Sequence, residues 1–169
     1  MRARQNPGLT SEFIVNVDDL QDLAAWGAAA NATGSFITLV VSPNVHELRG
    51  YNRGAAVARG DTLIFLQDDD APTGSCEWLS NLTALMAAQP RIGAVALKKA
   101  CIVEQANCEW AWAPHAVRYF DPVTGLQFQY VTVADFSPLA VRATAYADVG
   151  GCDEVRFPTA AGALNPGKD

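Results

Sequence analysis

The chain is short of charge, of clustered cations and of paired cysteines, and each shortage removes a class of function. Its 12 Lys and Arg are outnumbered by 18 Asp and Glu, for a net charge of −6 over 169 residues. A general nucleic-acid binder needs clustered cations to neutralise phosphates, so no nucleic-acid partner is expected. A local basic pocket for a nucleotide is still compatible with that charge. The cysteines Cys76, Cys101, Cys108 and Cys152 contain no C-x-x-C pair, which removes the usual spacing of a zinc site. A Cys101–Cys108 disulfide is open on spacing, with nothing further to support it. No apolar run approaches the length of about 18 residues that a membrane span needs, so no span is expected in this chain. The first residues also lack the charged-then-apolar form of a signal peptide. Two N-x-T triplets, at Asn31 and Asn81, would matter only in a secretory lumen. Neither a repeat nor a low-complexity segment is visible. With half its residues apolar, the chain has enough material for one domain with a proper core and too little to expect two.

What is present alternates. Phe13 to Val17 reads as a strand ending in Asp18-Asp19, and Leu20 to Ala30 as an Ala-rich helix closed by Asn31 to Gly34. Phe36 to Val41 is a β-branched strand broken by Pro43. Asn52 to Arg59 reads as a small-residue helix, with Asn52 as N-cap and Gly60 as stop. Thr62 to Leu66 is a strand. A helix capped by Ser75 follows, with Trp78, Leu79, Leu82, Leu85 and Met86 at helical spacing before Pro90. Gly93 to Leu97 and Gln127 to Val133 read as strands, Phe120 to Gly125 as a turn and Ala140 to Asp148 as a helix. Trp110 and Trp112, two apart, suit one face of a strand, as core or as a surface that stacks on a sugar. Strands alternating with helices predict an α/β fold around a parallel, doubly wound sheet, whose ligands gather at the carboxyl ends of strands. Asp18-Asp19 and Asp68 to Asp70 both fall at such ends, which suggests one shared nucleotide site.

The triplet Asp68-Asp69-Asp70 directly follows Leu63-Ile64-Phe65-Leu66-Gln67. Three adjacent carboxylates repel one another, and a cation relieves that repulsion. In extended chain, residues i and i+2 face the same side, so Asp68 and Asp70 are candidates to share one hard divalent cation that in turn holds a diphosphate. The competing reading is an acidic surface turn.

Read together, several segments resemble family-2 glycosyltransferases of the GT-A fold. They are Phe13-Ile14-Val15-Asn16-Val17-Asp18-Asp19, Ser42 through Asn52-Arg53-Gly54, Ala58-Arg59-Gly60-Asp61 leading to Asp68-Asp69-Asp70, Trp78-Leu79, Ser137-Pro138-Leu139-Ala140-Val141-Arg142, and Gly150-Gly151-Cys152-Asp153-Glu154. The resemblance covers roughly residues 12 to 154. It implies transfer of a sugar from a nucleotide-diphosphate donor to an acceptor hydroxyl on a glycan, lipid or protein, with inversion at the anomeric carbon. It also implies a GT-A-type, mostly parallel sheet flanked by helices. Asp68 and Asp70 match the metal-binding D-x-D pair, for Mn²⁺ or Mg²⁺. Asp69 would touch the donor sugar or ribose, and Asp18 or Asp19 the nucleoside base. Asn52 and Arg53 join the nucleotide-sugar set. Arg49 and Arg53 would meet phosphate or base, against a reading as solvated helix-end residues. Ser137 and Gly150-Gly151 fall on the donor-sugar and acceptor side. His46 and His115 receive no role.

Two departures shape the expectation. The family places an apolar strand and a helix before the strand that ends in Asp-Asp, and here only Met1 to Ser11 precede it. The missing strand is central in the family's sheet, so its neighbours would carry unpaired backbone groups. The family's general base follows the Gly-Gly-x-Asp-Glu segment at an acidic helix start, but Phe157 to Gly162 holds no acid. Asp153 and Glu154 are the nearest catalytic candidates, with turn stabilisation as the other role open to them. The expectation is therefore a domain truncated at both ends: a disordered stretch over 1–11, a partial GT-A domain over 12–156 and an irregular tail over 157–169. Transfer activity is in question, and a non-catalytic nucleotide- or glycan-binding relative is the alternative. A haloacid-dehalogenase-type phosphatase also places aspartates after a strand, but Pro72 occupies the position where that motif wants Thr or Val. The compartment is open: cytoplasm, or Golgi lumen or membrane if an anchor lies outside this chain.

Overall fold

The structure is a computed structural model that describes residues 9–68, 70, 77–97, 100–101, 117–131, 133–134 and 136–155. Calls on Asp69, Ser75, Trp110, Trp112, Cys108, His115, most of the 1–11 stretch and the 157–169 tail lie outside these residues. In chain order the elements are β1 (Phe13–Val17), α1 (Leu23–Thr33), β2 (Ile37–Val41), α2 (His46–Val57), β3 (Thr62–Phe65), α3 (Glu77–Ala88) and β4 (Ala94–Ala96). There follow β5 (Ala100–Cys101), β6 (Arg118–Phe120), β7 (Gln127–Gln129), β8 (Val133–Ala134), β9 (Leu139–Arg142) and α4 (Ala143–Asp148). The architecture is mixed α/β, with several small sheets. Among the described residues no helix is long and apolar enough to cross a membrane. The chain forms two compact units, one built on Thr10–Leu63 with the chain from Tyr146, the other on Ile64–Ala145.

In the first unit β1 and β2 run parallel, Phe13 opposite Ile37 and Val17 opposite Val41. The two glycines of α2 explain how it lies on β1. A Cβ on Gly50 would stand 2.8 Å from Nδ2 of Asn16, and one on Gly54 would stand 3.8 Å from the Ile14 side chain. Gly50 and Gly54 are one helical turn apart, while Asn16 and Ile14 share one strand face, so a bare stripe of helix meets one side of β1. Helix α2 begins at His46, six residues before the Asn52 expected as its cap. Gly50 lies within α2 where the helix passes Asn16 closely, so a side chain there would have to displace the Asn16 amide. The Ala-rich α1 has no fully buried residue but packs its half-buried side against β2, which a helix this short needs to persist.

The second unit carries the larger sheet, in the order β3–β9–β4. Strands β4 and β9 are antiparallel, with Val95 opposite Ala140. The reading of a parallel sheet thus holds for β1–β2 and not for β4–β9. Ala140 to Arg142, expected as the start of a helix, instead belong to β9 (Leu139–Arg142). They form a strand because a short apolar run has no period of its own and takes the structure of its neighbour. Under this sheet the α3 residues Leu82 and Met86 pack on Ala140, with Ile64, Trp78, Val95 and Leu97 around them.

The hairpin β6–β7 pairs Tyr119 with Phe128, and its turn is built on Asp121. That carboxylate is 1% exposed. It accepts hydrogen bonds from the Thr124 backbone N–H at 2.7 Å and the Gln89 amide at 2.8 Å, and from the Thr124 hydroxyl. The Thr124 hydroxyl first, then the Gln89 amide, hold the Asp121 carboxyl below its ordinary value of 3.8. A depressed folded value contributes stability that is complete above the unfolded value and lost as pH falls through the folded one. The thermal unfolding midpoint of the wild type should therefore fall as the pH drops below about 4, and Asp121→Asn should flatten that fall. Equal slopes for the two proteins would remove Asp121 as the acid-sensitive group.

Candidate functional site

The acidic end of β3 is a turn and not extended chain. Asp70 N–H donates to the Gln67 carbonyl at 3.1 Å, and Gln67 N–H donates back to Asp70 Oδ2 at 3.0 Å. The alternation that put Asp68 and Asp70 on one side therefore does not apply. A different contact fixes Asp70. The Ser137 hydroxyl, on a residue 3% exposed just ahead of β9, donates a short hydrogen bond to the same Oδ2. Gln67 N–H also reaches Ser137 Oγ, at 2.8 Å. Phe65 and Phe136 pack in a tilted pair with ring centroids 5.2 Å apart and planes at 36°. Two segments some 67 residues apart in sequence thus meet at one carboxylate. Asp68 is exposed beside this turn.

Among the described residues no group of three or more His, Cys, Asp and Glu side chains could hold a metal ion. Two hard carboxylates do fit a divalent cation whose remaining ligands are phosphate oxygens and water, the usual arrangement for Mg²⁺ on a nucleotide. Asp68 and Asp70 have the donor chemistry for that role. Buried Ser137 keeps Asp70 oriented.

Asp18 and Asp19 belong to the first unit. Asp18 Oδ1 accepts the Val45 N–H at 2.8 Å, and its carbonyl accepts from Asn44 N–H at 3.4 Å. Val45, the residue before α2, makes no side-chain cap of its own, so a carboxylate 27 residues earlier satisfies that orphan donor. Asn44 and His46 on either side take positive φ, 56° and 61°, a conformation costing about 1 kcal/mol or more each outside glycine. Asp19 Oδ1 accepts from Gln21 N–H at 2.8 Å and shapes a local turn. Arg53 is exposed on α2.

The same unit gathers the Gly150–Glu154 turn onto α2. Asn52 Nδ2 donates to the Cys152 carbonyl at 2.9 Å and to Glu154 Oε1 at 2.6 Å. Its Oδ1 accepts from Cys152 N–H at 2.8 Å and from the Tyr146 hydroxyl at 2.6 Å. Glu154 Oε2 lies 3.7 Å from Arg49 Nε, a charge contact longer than a hydrogen bond. Asp153 Oδ1 accepts from Val155 N–H at 3.1 Å, which suits turn stabilisation. Of the two catalytic candidates, Glu154 is thereby brought beside Asn52 and Arg49. Burial, then the Cys152 hydrogen bond, raises the Tyr146 hydroxyl far above its ordinary range, so it stays a neutral donor. Burial also raises the Cys152 thiol. Tyr146 was not legible as a site residue, since its partner Asn52 is 94 positions away.

Gly150 and Gly151 both have positive φ, 81° and 77°, but they differ in surroundings. A Cβ on Gly151 would stand 2.6 Å from Asn52 Oδ1, whereas one on Gly150 meets nothing within 4 Å. Gly150→Ala should cost about 1 kcal/mol from backbone strain alone. Gly151→Ala adds displacement of Asn52 and should cost about 2–3 kcal/mol. Urea unfolding measures both, and equal losses would contradict the close approach to Asn52.

No protein-family model matches the chain, and no curated protein matches it.

Proposed function

We propose that this chain is a metal-dependent, inverting glycosyltransferase domain of GT-A type, taking a nucleotide-diphosphate sugar as donor and an acceptor hydroxyl on a glycan, lipid or protein. The observation that carries the reading is the meeting of Asp70 with Ser137 through a direct hydrogen bond. These residues belong to two motifs singled out together by their resemblance to one family, far apart in sequence. The contact of Asn52 with Cys152 and Glu154 joins two more such motifs. On this reading Asp68 and Asp70 would hold Mn²⁺ or Mg²⁺, which would supply positive charge to the leaving nucleoside diphosphate. The parallel β1–β2 pair is consistent with a doubly wound sheet.

A second reading, a non-catalytic nucleotide- or glycan-binding relative, is favoured by one specific observation. Both acids considered as bases, Asp153 and Glu154, accept hydrogen bonds within the turn or from Asn52. One experiment separates the two. The protein is incubated with UDP-, GDP- and dTDP-sugars and a panel of hydroxyl-bearing glycan, lipid and peptide acceptors, in Mn²⁺ or in chelator, and release of the nucleoside diphosphate is followed by chromatography. Release that needs Mn²⁺ supports the transferase, and Mn²⁺-dependent binding without release supports the relative. Neither binding nor release would end both.

A further inference from the structure

Asn52 was expected to contact the nucleotide sugar. An asparagine side chain offers two N–H donors and two acceptor sites, and here the chain itself fills all four. Cys152 N–H and carbonyl pair with Oδ1 and Nδ2 at 2.8 and 2.9 Å, as a neighbouring strand would. The Tyr146 hydroxyl takes the second acceptor site and Glu154 Oε1 the second donor, each at 2.6 Å. The backbone partners fix which end of the amide is oxygen: an N–H faces Oδ1 and a carbonyl faces Nδ2. No hydrogen-bonding capacity is left for a ligand. The side chain it orients is different in kind. Glu154 is 41% exposed in its side chain and stands beside Arg49, 40% exposed, so a carboxylate and a guanidinium are held together at the surface.

We propose that Asn52 is a positioning residue: it fixes Glu154 beside Arg49 so that the pair can engage substrate hydroxyls, and it does not itself touch the donor. This inference rests on the glycosyltransferase reading. A carboxylate accepts from a hydroxyl and a guanidinium donates to one, so the pair suits a polyhydroxyl substrate. Orientation matters because an unrestrained glutamate loses rotamer freedom on binding, whereas one already held by an amide has lost it on folding.

The test combines two measurements on the full chain. Hydrogen exchange compares wild type with Asn52→Ala at the Cys152 to Val155 amides. Exchange there should rise about tenfold or more while β1 and β2 keep their protection. Unchanged exchange at the turn would overturn the proposal. The second measurement is UDP release from UDP-glucose with Mn²⁺, in a cycle of Asn52→Ala, Glu154→Gln and the double variant. Each single change should lower kcat about tenfold or more with KM within about twofold, and the double should be no slower than the slower single. Additive losses would overturn it, because a residue that only packs the turn would not act through Glu154. A raised KM with kcat intact in Asn52→Ala would also overturn it, by making Asn52 a ligand contact. Should the wild type bind and release no nucleoside diphosphate with UDP-, GDP- or dTDP-sugars, the glycosyltransferase reading falls, and the exchange result still decides whether Asn52 holds the turn.

Discussion

Arg142→Ala is expected to destabilise the second unit by about 3–4 kcal/mol, a large share of the total stability of a domain this size. Its guanidinium serves the chain that leaves α3. Nε donates to the Ile92 carbonyl at 2.7 Å, and Nη2 donates to the Gln89 carbonyl at 3.2 Å and, in a short contact, to that of Met86. A helix leaves its last carbonyls without internal partners. Here Pro90 cannot donate a backbone N–H, and the Ile92 N–H already serves Gln89, at 3.0 Å. The cation also sits where the helix dipole favours positive charge. Alanine would strip a charged donor from three carbonyls next to the Leu82–Met86–Ala140 core. Arg142→Lys keeps the charge but loses the planar fork, so it should recover only part of the loss. Urea unfolding decides the matter. A change under about 0.5 kcal/mol in the alanine variant would mean that water replaces the guanidinium at no cost.

Local pattern was legible where one element answers to its own residues. The β-branched run of β2, the helical spacing of Trp78, Leu82, Leu85 and Met86, and the turn at Asp121 to Gly125 all read correctly. Long-range partners decided the rest. Ala140 to Arg142 form a strand because β4 lies beside them, and α2 starts at His46, where Asp18 accepts the Val45 N–H, and not at Asn52. Of the site, the residue types and their motifs were legible, but their partners were not. Nothing near Asp70 in sequence points to Ser137, and nothing near Asn52 points to Tyr146. Hydrogen-bond partners on separate elements leave no periodic trace, so only the fold reveals them. The extended-chain argument for Asp68 and Asp70 failed for a local reason: Gln67 and Asp70 close a turn on each other, and side-chain alternation ends where the strand does.

The second large effect concerns that turn. Replacing both Asp68 and Asp70 by Asn removes two negative charges and keeps an oxygen at position 70 for Ser137 and Gln67 N–H, so the fold should persist. If the carboxylates hold a divalent cation that bridges the donor phosphates, the double variant should bind nucleoside diphosphate about 100-fold more weakly in Mn²⁺, roughly 2.8 kcal/mol. A carboxylate binds a hard cation through its charge, and a neutral amide oxygen is a much poorer ligand. In chelator, wild type and variant should bind equally weakly. The decisive measurement is a calorimetric titration of UDP, GDP and dTDP into wild-type protein and the Asp68→Asn, Asp70→Asn variant, each with and without Mn²⁺. The account requires one of these nucleotides to bind the wild type with an affinity that needs the metal and falls about 100-fold in the variant. Binding that ignores both the metal and the two substitutions would contradict it.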